Sequence, residues 1–245
     1  MMGKSVMFIC ACVILIAIYL YGANAYFYHR IHAGNLVFPD TEHSYTISGP
    51  GAMKKYAALG DSLTAGVGAE KYTESYPYLV AKSLAKKQAV QLDVFAYPGI
   101  TSTGLIDGYL DDAIKSKPDI VTVLIGTNDI HNWVAVSEFE KNYRLIVERL
   151  SRETDAKIYL VSIPYLGSNW ALLPPLQRYF DYKTRQFNGI ISSIAAEHNV
   201  AYIDIATPTQ ELFKHNGAQY STDSFHPSAL GYRAWADIIY ADIDH

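Results

Sequence analysis

From Lys54 onward, short apolar runs rich in β-branched residues alternate with longer stretches in which apolar residues recur at helical spacing. Five such runs stand out: Tyr56–Leu59, Leu92–Tyr97, Ile120–Ile125, Lys157–Ile163 and Ala201–Ile205. A strand that is apolar without alternation is buried on both faces, which is the signature of a parallel sheet covered by helices. The intervening pattern predicts helices over Tyr76–Lys87, Ser137–Glu153 and Tyr182–His198. A last helix is predicted over Ser228–Ile243, with Leu230, Ala234, Ile238 and Ala241 on one face. The runs close on turn signals such as Gly60-Asp61, Pro98-Gly99 and Gly126-Thr127. In open α/β sheets, ligands bind beyond the carboxyl ends of the strands, so chemistry is expected at those turns.

The N-terminal pattern is different. No charged side chain occurs from Ser5 to Tyr28, and Val6–Leu20 is almost wholly apolar, preceded by Lys4 and followed by His29 and Arg30. The stretch is long enough for a tilted transmembrane helix, but Ala23-Asn24-Ala25 also has the small-x-small form of a signal-peptidase site. The run exceeds the usual length of a signal core, which favours a retained anchor over cleavage after Ala25. Either reading puts the following domain outside the cytoplasm. The chain divides into an anchor or signal segment over residues 1–28, a linker over 29–53, and a domain over 54–245. Asn35–Met53 mixes Pro, Gly, Thr, Ser and His without sustained period, as expected of a tether.

Composition narrows the chemistry. With 245 residues, half of them apolar, the chain can bury a full core in one catalytic domain. A net charge of −4 offers no broad basic surface, which argues against a nucleic-acid partner. Both cysteines, Cys10 and Cys12, lie in the apolar segment, so the domain has no thiol for a disulfide, a zinc site or a nucleophile. The apolar run before Cys12 is too short for a lipoprotein signal.

Gly60-Asp61-Ser62 ends the first run and opens a helical stretch, and Asp223-Ser224-Phe225-His226-Pro227 stands near the far end of the chain. Taken singly, the first is a turn with a helix cap, and the second is the start of the last helix after Pro227. Taken together they supply a hydroxyl, an imidazole to accept its proton, and a carboxylate three residues before the imidazole to hold its tautomer. Acyl transfer also needs donors for the developing oxyanion. Gly126-Thr127-Asn128-Asp129 after the third run offers the Asn128 amide, and Gly99 after the second lets backbone N–H approach a ligand closely. The Ser62 backbone N–H is the third candidate donor.

These residues resemble the SGNH hydrolase superfamily, whose blocks are Gly-Asp-Ser, a glycine after the second strand, Gly-x-Asn-Asp and Asp-x-x-His. All four occur in order, with Ser62, Gly99, Asn128 and His226 at the four letters and Asp223 as third triad member. The resemblance spans about Lys54 to the C-terminus. It implies a flavodoxin-like three-layer α/β/α fold around a five-stranded parallel sheet, and activity on an acyl-ester substrate, whether ester, thioester or acyl group on a sugar, without metal or cofactor. Gly60-Asp61-Ser62-Leu63-Thr64-Ala65-Gly66 looks most like the bacterial lysophospholipase and acyl-esterase branch. Asp61 and Asp129 are expected to brace the site rather than act as catalytic acids. The second block departs from the pattern: it reads Ala96-Tyr97-Pro98-Gly99-Ile100, where many relatives carry Asn or Ser shortly before the glycine, which leaves the support of that loop open. No Gly-x-Ser-x-Gly surrounds Ser62, and His-Glu-x-x-His, Gly-x-Gly-x-x-Gly and P-loop motifs are absent.

Pro164–Phe180 carries Tyr165, Trp170, Leu172, Leu173, Leu176 and Tyr179; it is read either as one wall of an acyl pocket or as a loop packed on the domain. Trp133 is a second candidate for the cleft. Three functions are weighed: an esterase or lipase on lipid-like or small acyl esters, an O-acetyl esterase or acetyltransferase on envelope polysaccharide, and a catalytically idle binding module tethered to the membrane.

Overall fold

In the computed structural model, which describes residues 2–33, 38–39, 43–166 and 171–243, the apolar N-terminal run is one helix, α1 (Met2–Ala33). It passes through Ala23-Asn24-Ala25 without a break, and most of its apolar side chains, Phe8 and Leu15 among them, are exposed. Its length and composition suffice to cross a bilayer over Gly3–Arg30. Its C-terminal half folds onto the domain, where the Tyr19 hydroxyl donates to the Pro174 carbonyl and Ala23 and Phe27 are buried.

The domain continues with β1 (Ser44–Ile47), β2 (Lys54–Gly60), α2 (Tyr76–Leu84) and β3 (Val90–Ala96). Next come α3 (Ser102–Leu105), which passes through a π turn into α4 (Asp111–Lys115), then β4 (Ile120–Leu124), α5 (Thr127–His131), α6 (Val136–Glu153) and β5 (Lys157–Val161). The chain ends with α7 (Leu176–His198), β6 (Ala201–Ile203), α8 (Ala206–His215) and α9 (Ala229–Ile243). The sheet runs β1-β3-β2-β4-β5-β6, parallel throughout except for β1, which pairs antiparallel with β3. The five parallel strands therefore follow the flavodoxin-like order.

Alternate side chains of each strand enter two separate cores. Ala57, Leu59, Val121, Val123 and Leu160 face α6 and α7, while Tyr56, Ala58, Leu124 and Val161 face α2, α8 and α9. Burial on both faces is why the strands read as apolar runs. The switch in strand order falls between β2 and β4, so the turns at Gly60 and Gly126 open on one side of a crevice.

The sheet has six strands rather than the expected five. The extra one, β1, lies within the segment read as a linker: four residues of half-buried alternation are too short a signal, and its pairing to β3 is made by long-range contact, including Ser44 Oγ to Asp93 Oδ1 at 2.7 Å. Residues 34–37 and 40–42 of that segment lie outside the described residues. The helical segment from α3 to α4 was not expected, because Gly104 and Gly108 weaken its helical signal. On α9 the buried face is Tyr232, Trp235, Ala236 and Ile239, not the predicted stripe, whose Leu230 is exposed. The helix is apolar on most sides, and the aromatic residues bury the larger area.

Candidate active site

Strand β2 ends at Gly60, packed so closely that a Cβ there would lie 2.4 Å from the Leu124 carbonyl oxygen. The chain turns at once, and Asp61 Oδ1 accepts the Leu63 N–H at 3.0 Å, so the turn presents Ser62 beyond the strand end. From the other end of the chain, the loop before α9 brings His226 to it: His226 Nε2 lies 3.0 Å from Ser62 Oγ across 164 residues of sequence. His226 Nδ1 is 2.5 Å from Asp223 Oδ2. The other Asp223 oxygen accepts from Ser221 Oγ at 2.7 Å and from the N–H groups of Phe225 and His226 at 2.9 and 3.0 Å. Burial opposes the Asp223 charge, but the hydrogen bonds from His226 and Ser221 and the His226 charge outweigh it and hold the carboxyl below its ordinary range. The three-residue spacing works because Ser224 takes a left-handed backbone (φ 61°) that folds the carboxylate back under the ring.

Ser62, Gly99, Asn128 and His226 line one cleft of about 300 Å³. Gly99 has φ 85°, and a Cβ there would meet nothing within 4 Å, so its backbone is open to a ligand. Asn128, at the start of α5, donates from Nδ2 to the Ile100 carbonyl at 3.0 Å and, at a long 3.4 Å, to Asp61 Oδ2. Asp129 is fully buried beneath and ties the two loops together: its oxygens accept the Ser102 N–H at 2.8 Å and the Ser102 hydroxyl at 2.5 Å. Ser102 and Ile100 thus support the loop whose bracing residue the second block did not name. Burial raises the pKa of both lower carboxyls. Asp61 is pushed up to about 7, with the Asp129 charge adding to the effect of burial; Asp129 is raised by burial against the opposing bonds from Ser102.

A second imidazole, His131, stands in the same cleft. Burial and the nearby His226 lower its pKa to about 3, and its Nε2 has no hydrogen-bond partner among the described residues. It is therefore a neutral wall, packed against Phe27, Phe180 and Phe225.

The candidate catalytic, oxyanion and bracing residues thus meet at one place, while the residues read as candidate walls do not line it. Of Pro164–Phe180, residues 167–170 with Trp170 lie outside the described residues; Leu172, Leu176 and Phe180 are core residues, and Tyr165 faces a different depression. Trp133 is exposed and packs on Tyr179, ring centroids 4.7 Å apart, away from Ser62. The cleft is instead walled by Phe27 and Tyr28 of α1, by Phe38 and by Phe225. Sequence reasoning missed Phe27 and Tyr28 because α1 reads only as a membrane segment, with no local signal that its end returns to the domain.

The model of the GDSL-like Lipase/Acylhydrolase family matches residues 58–234. The chain is 25% identical over 207 residues to the spore germination lipase LipC of Bacillus licheniformis, covering 75% of this chain and 93% of the relative. It is 28% identical over 134 residues to an acetylxylan esterase of Geobacillus stearothermophilus, covering 50% of this chain and 58% of that protein. Among solved structures, a variant of an acetylxylan esterase from Geobacillus stearothermophilus superposes with a TM-score of 0.66 at 22% identity, over 80% of this chain and 96% of the other. A lipase/acylhydrolase from Enterococcus faecalis gives 0.62 at 20% identity, over 78% and 95%.

Proposed function

Because this chain belongs to the GDSL-like lipase/acylhydrolase family and is a carboxylic ester hydrolase, we propose that it works as a membrane-anchored serine esterase through Ser62, His226 and Asp223. The observation that carries this reading is the unbroken line from Ser62 Oγ to His226 Nε2 and from Nδ1 to Asp223. Ser62 Oγ attacks the ester carbonyl carbon as its proton passes to His226 Nε2, and the ionised Asp223 stabilises the imidazolium. The carbonyl oxygen, now an oxyanion, takes hydrogen bonds from the N–H groups of Ser62 and Gly99 and from Asn128 Nδ2. The weak Asn128–Asp61 contact leaves one amide hydrogen free to turn to it. Collapse breaks the bond to the alcohol, which leaves with the proton from His226; water then repeats the sequence and frees the acid and Ser62.

Helix α1 serves as a retained anchor, with the catalytic domain on the extracytoplasmic side. Its unbroken helix across Ala23-Asn24-Ala25 and the burial of Ala23 support retention, since a protease needs that site extended and accessible. The acetylxylan esterase relative favours a second reading, removal of acetyl groups from envelope polysaccharide. Against it, the Ser62 cleft shares Phe38, Val67 and Pro98 with an apolar trough of about 490 Å³, more room than an acetyl group uses. In the full chain in detergent micelles, Ser62→Ala should lower kcat/KM for p-nitrophenyl esters by at least about 10³-fold with its melting temperature retained. Wild-type rates in folded Ser62→Ala would remove the mechanism.

A further inference from the structure

Helix α1 does more than hold the domain at a surface. The Phe27 ring lies 5.5 Å from Phe225, and Phe225 lies 5.1 Å from His226, so an aromatic row runs from the helix to the proposed base. One turn further on, Arg30 donates to Ser224 Oγ at 2.6 Å, inside the loop that carries Asp223 and His226. The Tyr19 hydroxyl donates to the Pro174 carbonyl, fixing the helix against the domain earlier along its length. Phe27 and Tyr28 then form part of the Ser62 cleft itself, facing Val67 and Pro98, beyond which the apolar trough extends past Ala65 and Val94.

The position of these two residues along α1 matters. A bilayer core takes about 17–25 residues of helix, and the Tyr19–Pro174 bond and the burial of Ala23 on the domain place this helix at the short end, so a span that starts near Ser5 reaches its far surface at about residue 21. Tyr26, Phe27 and Tyr28 follow within two turns, in the headgroup layer where aromatic side chains gather between hydrocarbon and water. The mouth of the cleft is therefore held at headgroup level by the element that forms one of its walls.

We propose that Phe27 and Tyr28 of the membrane helix are specificity-determining residues: they complete the acyl side of the Ser62 cleft and fit it to an amphipathic single-chain ester lying in the same interface. This rests on the serine-esterase reading. An acetyl group would leave the apolar trough beyond this wall unfilled, whereas a longer acyl chain enters it along Phe27 and Tyr28.

The test uses the full chain in detergent micelles, with kcat/KM measured for p-nitrophenyl acetate and p-nitrophenyl octanoate, and labelling of Ser62 by a fluorophosphonate probe as a check on the site. Tyr28→Ala and Phe27→Ala should each lower the octanoate-to-acetate ratio about tenfold, the factor that lost contact with one or two methylenes carries. Tyr21→Ala, on an exposed part of the same helix, should leave the ratio within about twofold, a rim-level effect. A ratio unchanged in Tyr28→Ala while labelling persists overturns the proposal. Phe27 is buried, so should Phe27→Ala lose labelling through misfolding, the half-exposed Tyr28 decides alone. Wild-type protein that neither labels nor hydrolyses either ester would instead overturn the serine-esterase reading, and this inference with it.

Discussion

The Asp129–Ser102 pair should couple stability to catalysis. Both residues are fully buried, and two charge-assisted bonds join them: N–H to Oδ2 at 2.8 Å and hydroxyl to Oδ1 at 2.5 Å. Each is worth about 1.5–3 kcal/mol, and burial of the carboxylate offsets part of this, as its raised pKa records, so Asp129→Ala should cost about 3 kcal/mol. Ser102→Ala removes the hydroxyl bond to Asp129 and the bond that Ser102 Oγ accepts from Asn142 Nδ2 at 3.0 Å, and should cost about 2 kcal/mol, because the backbone N–H to Asp129 remains. The double variant should then fall short of the sum by about 1.5 kcal/mol, measured by denaturant unfolding of the full chain in detergent. Asp129 also ties the loop bearing Gly99 to the helix bearing Asn128, so its loss should misplace an oxyanion donor at a cost of about 2.7–4 kcal/mol, or about 10²–10³-fold in rate. That loss should fall on kcat more than on KM, since the donors act on charge that exists only in the transition state. Additive stabilities within about 0.5 kcal/mol, or a loss carried by KM alone, would refute the bracing role.

Two further outcomes follow from the same geometry. Asp61 has a folded pKa of about 7 against an ordinary value of 3.8, so between those values the native state holds a proton that the unfolded chain releases. Stability should therefore be fully present below about pH 4 and decline as pH rises through 7, by at most about 4 kcal/mol for the difference of 7 and 3.8. Melting temperatures at pH 5 and 7.5 should fall less in Asp61→Asn than in the wild type, and equal slopes would discount the buried carboxyl. Gly68 has φ 96°, and a Cβ there would lie 2.5 Å from the Pro227 carbonyl oxygen and 2.9 Å from His226 Cβ. Gly68→Ala should cost about 2–3 kcal/mol in strain and, by shifting His226, about 10²-fold in kcat. Full activity at an unchanged melting temperature would show that the His226 loop tolerates displacement.

Much of this protein could be read along the chain, because its signals are local. Parallel strands buried on both faces leave continuous apolar runs, and the four chemical blocks sit on the turns that end β2, β3 and β4 and precede α9. The side chains that act there are named within three or four residues of each turn. What sequence left undecided depends on contacts between distant segments. β1 is a strand only because β3 offers it an edge, and the burial of α9 turns on which of several apolar stripes finds the larger cavity. Ser102 became the partner of Asp129 only when two strand ends were set side by side. The cleft wall is the clearest instance: Phe27 and Tyr28 belong to a helix whose composition encodes a bilayer, and no local pattern records that its last turns pack against Phe225 and His131. Composition and period act over one or two turns of chain, so they fix the elements and the chemistry each carries; which element closes the site is decided by packing, where shape and burial across the whole fold compete.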